Sequence, residues 1–142
     1  MMRMSSQVEY GLRAMLDIAI HGTTSPVQAR DIHQRQQIDE HFISQILLML
    51  RRAGLIESLR GRQGGHRLAR SPEQITLLEI IEAVEGCDDS HERPLNSAVV
   101  DASVVRDMWQ AAREQARQML VHATLADLRD RRNLLHANSY MI

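Results

Sequence analysis

Along the first half of the chain, apolar residues recur at helical spacing in three successive segments and then switch to alternation. Val8, Leu12, Met15, Leu16, Ile18, Ala19 and Ile20 fall on one broad face of a helix. Ser6-x-x-Glu9 opens it as a capping box, and Gly22 followed by Thr23-Thr24-Ser25-Pro26 stops it. Ser25-Pro26 also carries the start signal of a second helix, with Val27, Ala29 and Ile32 inward and an end near Gln36. Asp39 is placed to cap a third helix whose stripe is Phe42, Ile43, Ile46, Leu47, Met49 and Leu50, closed by Arg51, Arg52 and Gly54. Three helices with a tight turn before the third predict a helix-turn-helix. Leu55–Leu59 then alternates as a strand, Arg60–Gly65 supplies turn residues, and His66–Ala69 returns, which predicts a β-hairpin or wing.

Ser71-Pro72 marks the exit from the hairpin, and Thr76-x-x-Glu79 caps a helix carrying Leu77, Leu78, Ile80, Ile81, Ala83 and Val84 up to Gly86. From Cys87 to about Ser97 the composition is polar and predicts a loop. A long helix follows, with Val104, Val105, Met108, Trp109, Ala112, Ala116, Met119 and Leu120 spaced three or four apart. Thr124-x-x-Asp127 caps a short terminal helix containing Leu125 and Leu128, and past Arg132 the tail is expected to fray. The predicted fold class is mainly α with a small β-hairpin: a winged helix-turn-helix over 1–86, a loop over 87–100, a dimerisation helix and short terminal helix over 101–132, and a flexible tail over 133–142.

Composition narrows the function classes. The 142 residues are 44% hydrophobic and 25% charged, which excludes disordered and low-complexity readings. The apolar runs are far shorter than the roughly 20 residues that cross a bilayer, and no secretion signal opens the sequence, so a cytoplasmic location is expected. One cysteine excludes an internal disulfide framework. Charge is uneven: residues 1–75 hold ten arginines against seven acidic residues, and residues 76–142 hold seven against eleven. A basic half can follow phosphates while an acidic half keeps the chain in solution. All 17 basic residues are arginine, which suits phosphate and guanine recognition, although GC-rich coding gives the same bias. Gly61-x-x-Gly64-Gly65 lacks the Gly-Lys-Ser/Thr ending of a phosphate-binding loop, and no catalytic motif is present, so the chain is not expected to be an enzyme.

Four segments resemble the Rrf2 family of bacterial winged-helix transcription regulators: Glu9–Asp17, Leu50–Ile56, the wing Arg60-Gly61-x-x-Gly64-Gly65-His66-Arg67-Leu68-Ala69, and Ile75–Gly86. With the Trp109 helix and Thr124–Leu128, the likeness runs from residue 4 to about 130. It implies a homodimer in which the Trp109 helix crosses its partner's copy and two winged units meet a palindromic operator on double-stranded DNA. The apolar stripe of that helix independently calls for a partner surface. The interface would comprise Val104, Val105, Met108, Trp109, Ala112, Ala116, Met119 and Leu120.

Of the third helix, Glu40, His41, Ser44 and Gln45 face outward and are the candidate readers of base edges in the major groove; the alternative is a merely solvated face. Arg60 and Arg62 flank Gly61 at the wing tip, and the resemblance implies that Arg60 enters the minor groove. Arg62 and Gln63 stand where the family often has Pro and Gly, giving a longer-armed wing. Arg51 and Arg52 either touch phosphate or complement the helix carboxyl end. Tyr10 and Arg13 are candidate phosphate contacts, with half-buried packing as the alternative for Tyr10. Many family relatives hold an iron–sulfur cluster through three cysteines before the dimer helix, whereas this chain has one, which argues against that cofactor. Cys87 and His91 could form a metal or redox site, or simply belong to a solvated acidic loop. The sequence thus points to a dimeric, sequence-specific repressor without a cofactor. The alternatives are a protein-interaction module and a metal- or redox-responsive regulator acting through the Cys87 loop.

Overall fold

The structure is a computed structural model that describes residues 4–85 and 99–139. Cys87, His91 and the rest of residues 86–98, where the sequence predicts a loop, lie outside the described residues. Helix α1 spans Ser6–His21, α2 Ala29–Gln36 and α3 Glu40–Arg52; strands β1 (Ile56–Leu59) and β2 (Gly65–Leu68) form the hairpin. A 3-10 turn at Pro72–Gln74 precedes α4 (Leu77–Glu85), and α5 (Val100–His122) and α6 (Leu125–Ser139) complete the described chain. The winged helix-turn-helix is therefore present.

The caps explain the boundaries. Ser5, one residue before the predicted cap, accepts from the Val8 amide at 3.2 Å and opens α1. Helix α2 begins three residues after Pro26, because Val27 is taken by a β-bridge: its N–H donates to the His66 carbonyl at 2.8 Å, and the His66 N–H donates back at 2.7 Å. Gln28 and Asp31 cap α2 instead of Ser25. At the turn between α2 and α3, Gln37 adopts the left-handed conformation, φ 56°. The Asp39 carboxylate accepts from the amides of His41 and Phe42 at 2.9 and 3.3 Å and opens α3 as predicted.

The core joins Met15 and Ile18 of α1, Ile32 of α2, Ile43, Ile46 and Leu50 of α3, Ile56 of β1 and Ile80 of α4, all essentially inaccessible to water. Leu125 of α6 belongs to the same cluster. This departs from the boundaries predicted from the sequence, in which the terminal helix accompanies the dimer helix. The Leu77 N–H donates to the Ala123 carbonyl and the Leu125 N–H to the Ile75 carbonyl, both at 2.9 Å, so the chain leaving α5 returns to the amino-terminal core. Arg129 pins α6 to Glu73 at 3.2 Å. The predicted frayed tail is also corrected: α6 continues to Ser139. Thr124 and Asp127 cap it reciprocally, and seven residues past Arg132 remain helical because nothing in Asn133–Ser139 breaks a helix.

Candidate nucleic-acid interface

Two locks set the pose of α3. The first is a buried carboxylate. Asp17 on α1 is 1% exposed. It accepts from Arg35 Nε at 3.0 Å, from an Arg35 terminal nitrogen at 2.7 Å and from Gln36 Nε2 at 2.9 Å. The hydrogen bond to this carboxylate raises the Arg35 guanidinium above its ordinary range. The second lock is Arg13, which donates to the Gln36 carbonyl at the carboxyl end of α2 and to Gln36 Oε1. Its guanidinium lies 5.7 Å from the Tyr10 ring, which itself meets Phe42 edge-on with centroids 5.3 Å apart. Arg13 and Tyr10, both candidates for phosphate contact, are thus engaged in holding α1 against α2 and α3.

On α3, Ile43, Ile46, Leu47 and Leu50 are buried, while Glu40, His41, Ser44 and Gln45 share an exposed face. The Ser44 hydroxyl donates to the Glu40 carbonyl at 3.0 Å, and the Gln45 amide lies 3.3 Å from the His41 imidazole. These contacts stay within the helix and leave the groups' outer edges open. Phe42 and Met49 pack against the core from the flanks.

The hairpin pairs Ile56 with Leu68 and Leu59 with Gly65, and its turn is closed by the Gly64 N–H donating to the Gly61 carbonyl at 3.0 Å. Gly61 has φ 106°, a conformation that favours glycine, and it separates the exposed Arg60 and Arg62. The bridge from Val27 to His66 fixes the hairpin to the segment that leads into α2. This third edge had only a weak sequence signal, since one β-branched residue between turn residues does not announce a strand.

The arginines sort by partner. Arg35, Arg67, Arg70 and Arg129 are paired with Asp17, Glu57, Glu79 and Glu73. Among the described residues, no hydrogen bond or ion pair engages Arg51, Arg52, Arg60 or Arg62, and all four are exposed. They border the open face of α3 at its carboxyl end and at the wing tip. Unneutralised cations flanking hydrogen-bonding side chains on a protruding helix are what a polyanionic duplex requires.

The profile of the Rrf2 family, described as an iron-dependent transcriptional regulator, matches residues 4–131. The chain belongs to the Rrf2 family. Protein rrf2 of Nitratidesulfovibrio vulgaris is 35% identical over 133 residues, covering 89% of this chain and 87% of the relative. The helix-turn-helix regulator CymR of Bacillus subtilis is 32% identical over 130 residues, covering 89% of each. The solved structure of CymR, the global cysteine regulator of B. subtilis, superposes with a TM-score of 0.79 at 32% identity over 92% of this chain and 98% of that one. The T. potens IscR structure gives 0.75 at 34% identity over 89% and 85%. This Rrf2 chain is accordingly a DNA-binding transcription regulator of the helix-turn-helix type.

The family description invokes iron, and the donor set can be compared with that. Iron–sulfur clusters are held chiefly by cysteine thiolates, commonly four. This chain has one cysteine, and among the described residues no three His, Cys, Asp or Glu side chains gather. These donors do not fit such a cluster. Among the described residues, no helix is long and apolar enough to cross a membrane.

Proposed function

We propose that this Rrf2 protein is a cytoplasmic, homodimeric repressor that binds a palindromic operator without a cofactor and has no enzymatic activity. The observation that carries the DNA-binding assignment is the set of unpaired arginines, Arg51, Arg52, Arg60 and Arg62, around the exposed Glu40, His41, Ser44 and Gln45 face. In this reading α3 enters the major groove. Gln45 pairs with adenine, Ser44 and His41 contact neighbouring edges, and Glu40 selects against bases that present only acceptors. Arg60 enters the minor groove, Arg62 follows the adjacent backbone, and Arg51 and Arg52 neutralise phosphates. Tyr10 and Arg13 border the surface and act mainly by holding α1 in place.

Homodimerisation is supported by α5. In the single chain Val104 and Val105 are each 62% exposed, Met108 67%, Trp109 48% and Met119 74%. Ala112 is exposed beside them, with Ala116 and Leu120 half-buried. An apolar stripe of this length on one helix is unfavourable in water and calls for a second copy.

The test is fluorescence anisotropy on a duplex selected from a random pool by the wild-type protein. Arg60→Ala is expected to weaken binding by about 1–3 kcal/mol and to relax preference at one minor-groove position per half-site. A variant that held the selected duplex as tightly as the parent would remove the wing from the interface.

A further inference from the structure

Recognition helix and wing do not meet flush. Between them lies a cavity of about 190 Å³ lined by Ala29 of α2, Ser44, Leu48 and Arg51 of α3, Ser58 of β1 and His66 of β2. Ala29, Leu47 and Leu48 give it an apolar floor, and its polar groups are two hydroxyls, a guanidinium and an imidazole, with no carboxylate. The His66 ring is fixed from two sides: its backbone is bridged to Val27, and its Nδ1 lies 3.0 Å from the Ser58 hydroxyl. Its Nε2 has no hydrogen-bond partner among the described residues. These donor groups, none opposed by a carboxylate, suit a compact anion at the rim of the cleft.

The docking pose proposed above decides which anion. A winged helix that places α3 in the major groove and the wing in the minor groove must straddle the strand that separates the grooves, and that strand passes between the two elements. We propose that this cleft seats one backbone phosphate of the duplex, held by Arg51, Ser58 and His66. The inference rests on that pose and adds His66 and Ser58 to the contact surface.

The cleft also makes binding sensitive to pH. In the free protein, burial and then the neighbouring Arg51 hold the His66 imidazole below its ordinary range. Among the described residues Arg51 is the only charge that shifts it: α2 offers Ala29, β1 offers Ser58, α1, which also packs against β2, adds none, and the Glu57–Arg67 pair occupies the opposite face of the hairpin. A phosphate beside the ring raises its pKa again, so binding takes up a proton and affinity rises as pH falls.

The experiment measures anisotropy of the full-length protein on two duplexes, one selected from a random pool and one of arbitrary mixed sequence, from about pH 8 to about pH 6. Wild-type affinity is expected to rise with falling pH, by at most about tenfold per pH unit for one proton. His66→Gln should flatten that rise. Ser58→Ala, at an exposed position that tolerates the change, should weaken both duplexes by the same factor, because a phosphate contact carries no sequence information. If both variants matched the wild type in affinity and pH slope while Arg60→Ala still lost the selected duplex, the cleft would be empty and the proposal overturned with the docking pose intact. If Arg60→Ala also behaved as wild type, the pose itself would fail and the proposal with it. A His66 ring resonance whose titration moved with millimolar inorganic phosphate but not with duplex would assign the cleft to a free anion and overturn the proposal.

Discussion

Arg60 and Arg67 are seven residues apart on one hairpin, and the difference between them is a partner. Arg67 lies 3.1 Å from Glu57 across the strands and is neutralised; Arg60 at the turn is not. A surface pair such as Arg67–Glu57 adds little to stability, yet it neutralises one cation of the hairpin. Asp17 is the opposite case. Its side chain is fully buried and satisfied by four hydrogen bonds from three nitrogens of Arg35 and Gln36, so its removal strands donors at the joint between α1 and α2. Asp17→Ala is expected to destabilise the fold by about 2–4 kcal/mol, discounted because the Arg35 head is partly solvated. Urea denaturation checks this, and an unchanged midpoint would show that the pair is dispensable. Asp17 was visible in the sequence only as a polar interruption of an apolar helix face. Its role needs Arg35, eighteen residues away, which the turn before α3 brings back to α1.

At the scale of elements, periodicity located the six α-helices of the described residues and both strands of the hairpin, because all but α5 bury one face against a single core and α5 carries its own apolar stripe. Boundaries were less legible. The Ser25-Pro26 start signal is locally sound, yet the chain delays α2 to Ala29 so that Val27 can bridge to His66. That bridge depends on Gly65: a Cβ there would lie 2.7 Å from the Val27 carbonyl oxygen. Gly65→Ala is therefore expected to cost about 1–3 kcal/mol and to loosen the wing from α2. Hydrogen exchange at the Val27 and His66 amides reads the loosening directly; protection equal to wild type would show that the hairpin can absorb the methyl group.

At the scale of the whole molecule, two opposite surfaces meet in α5 and α6. Helix α6 begins in the core at Leu125, while α5 lies along α4 and presents Val104, Val105, Met108 and Trp109 to water. In the proposed homodimer a second copy covers that stripe. Val105→Glu, at a position that is 62% exposed and remote from the core, is expected to leave the monomer folded and to abolish dimerisation by sedimentation. Loss of the second half-site would then reduce operator affinity by about 10²-fold or more. A variant that sedimented as a dimer would place the interface elsewhere.

Sequence alone determined the helix-turn-helix, the hairpin, the caps at Asp39, Thr76 and Thr124, and the outward set on α3. These follow from local spacing, and neighbours within four residues decide them. Tertiary structure decided which arginines remain unpaired, that Val27 supplies a third edge to the wing, that the terminal helix is rooted in the amino-terminal core, and that His66 sits in a cleft between helix and wing. Each of these depends on distance in space between residues far apart in the chain, and periodicity carries no information about that distance.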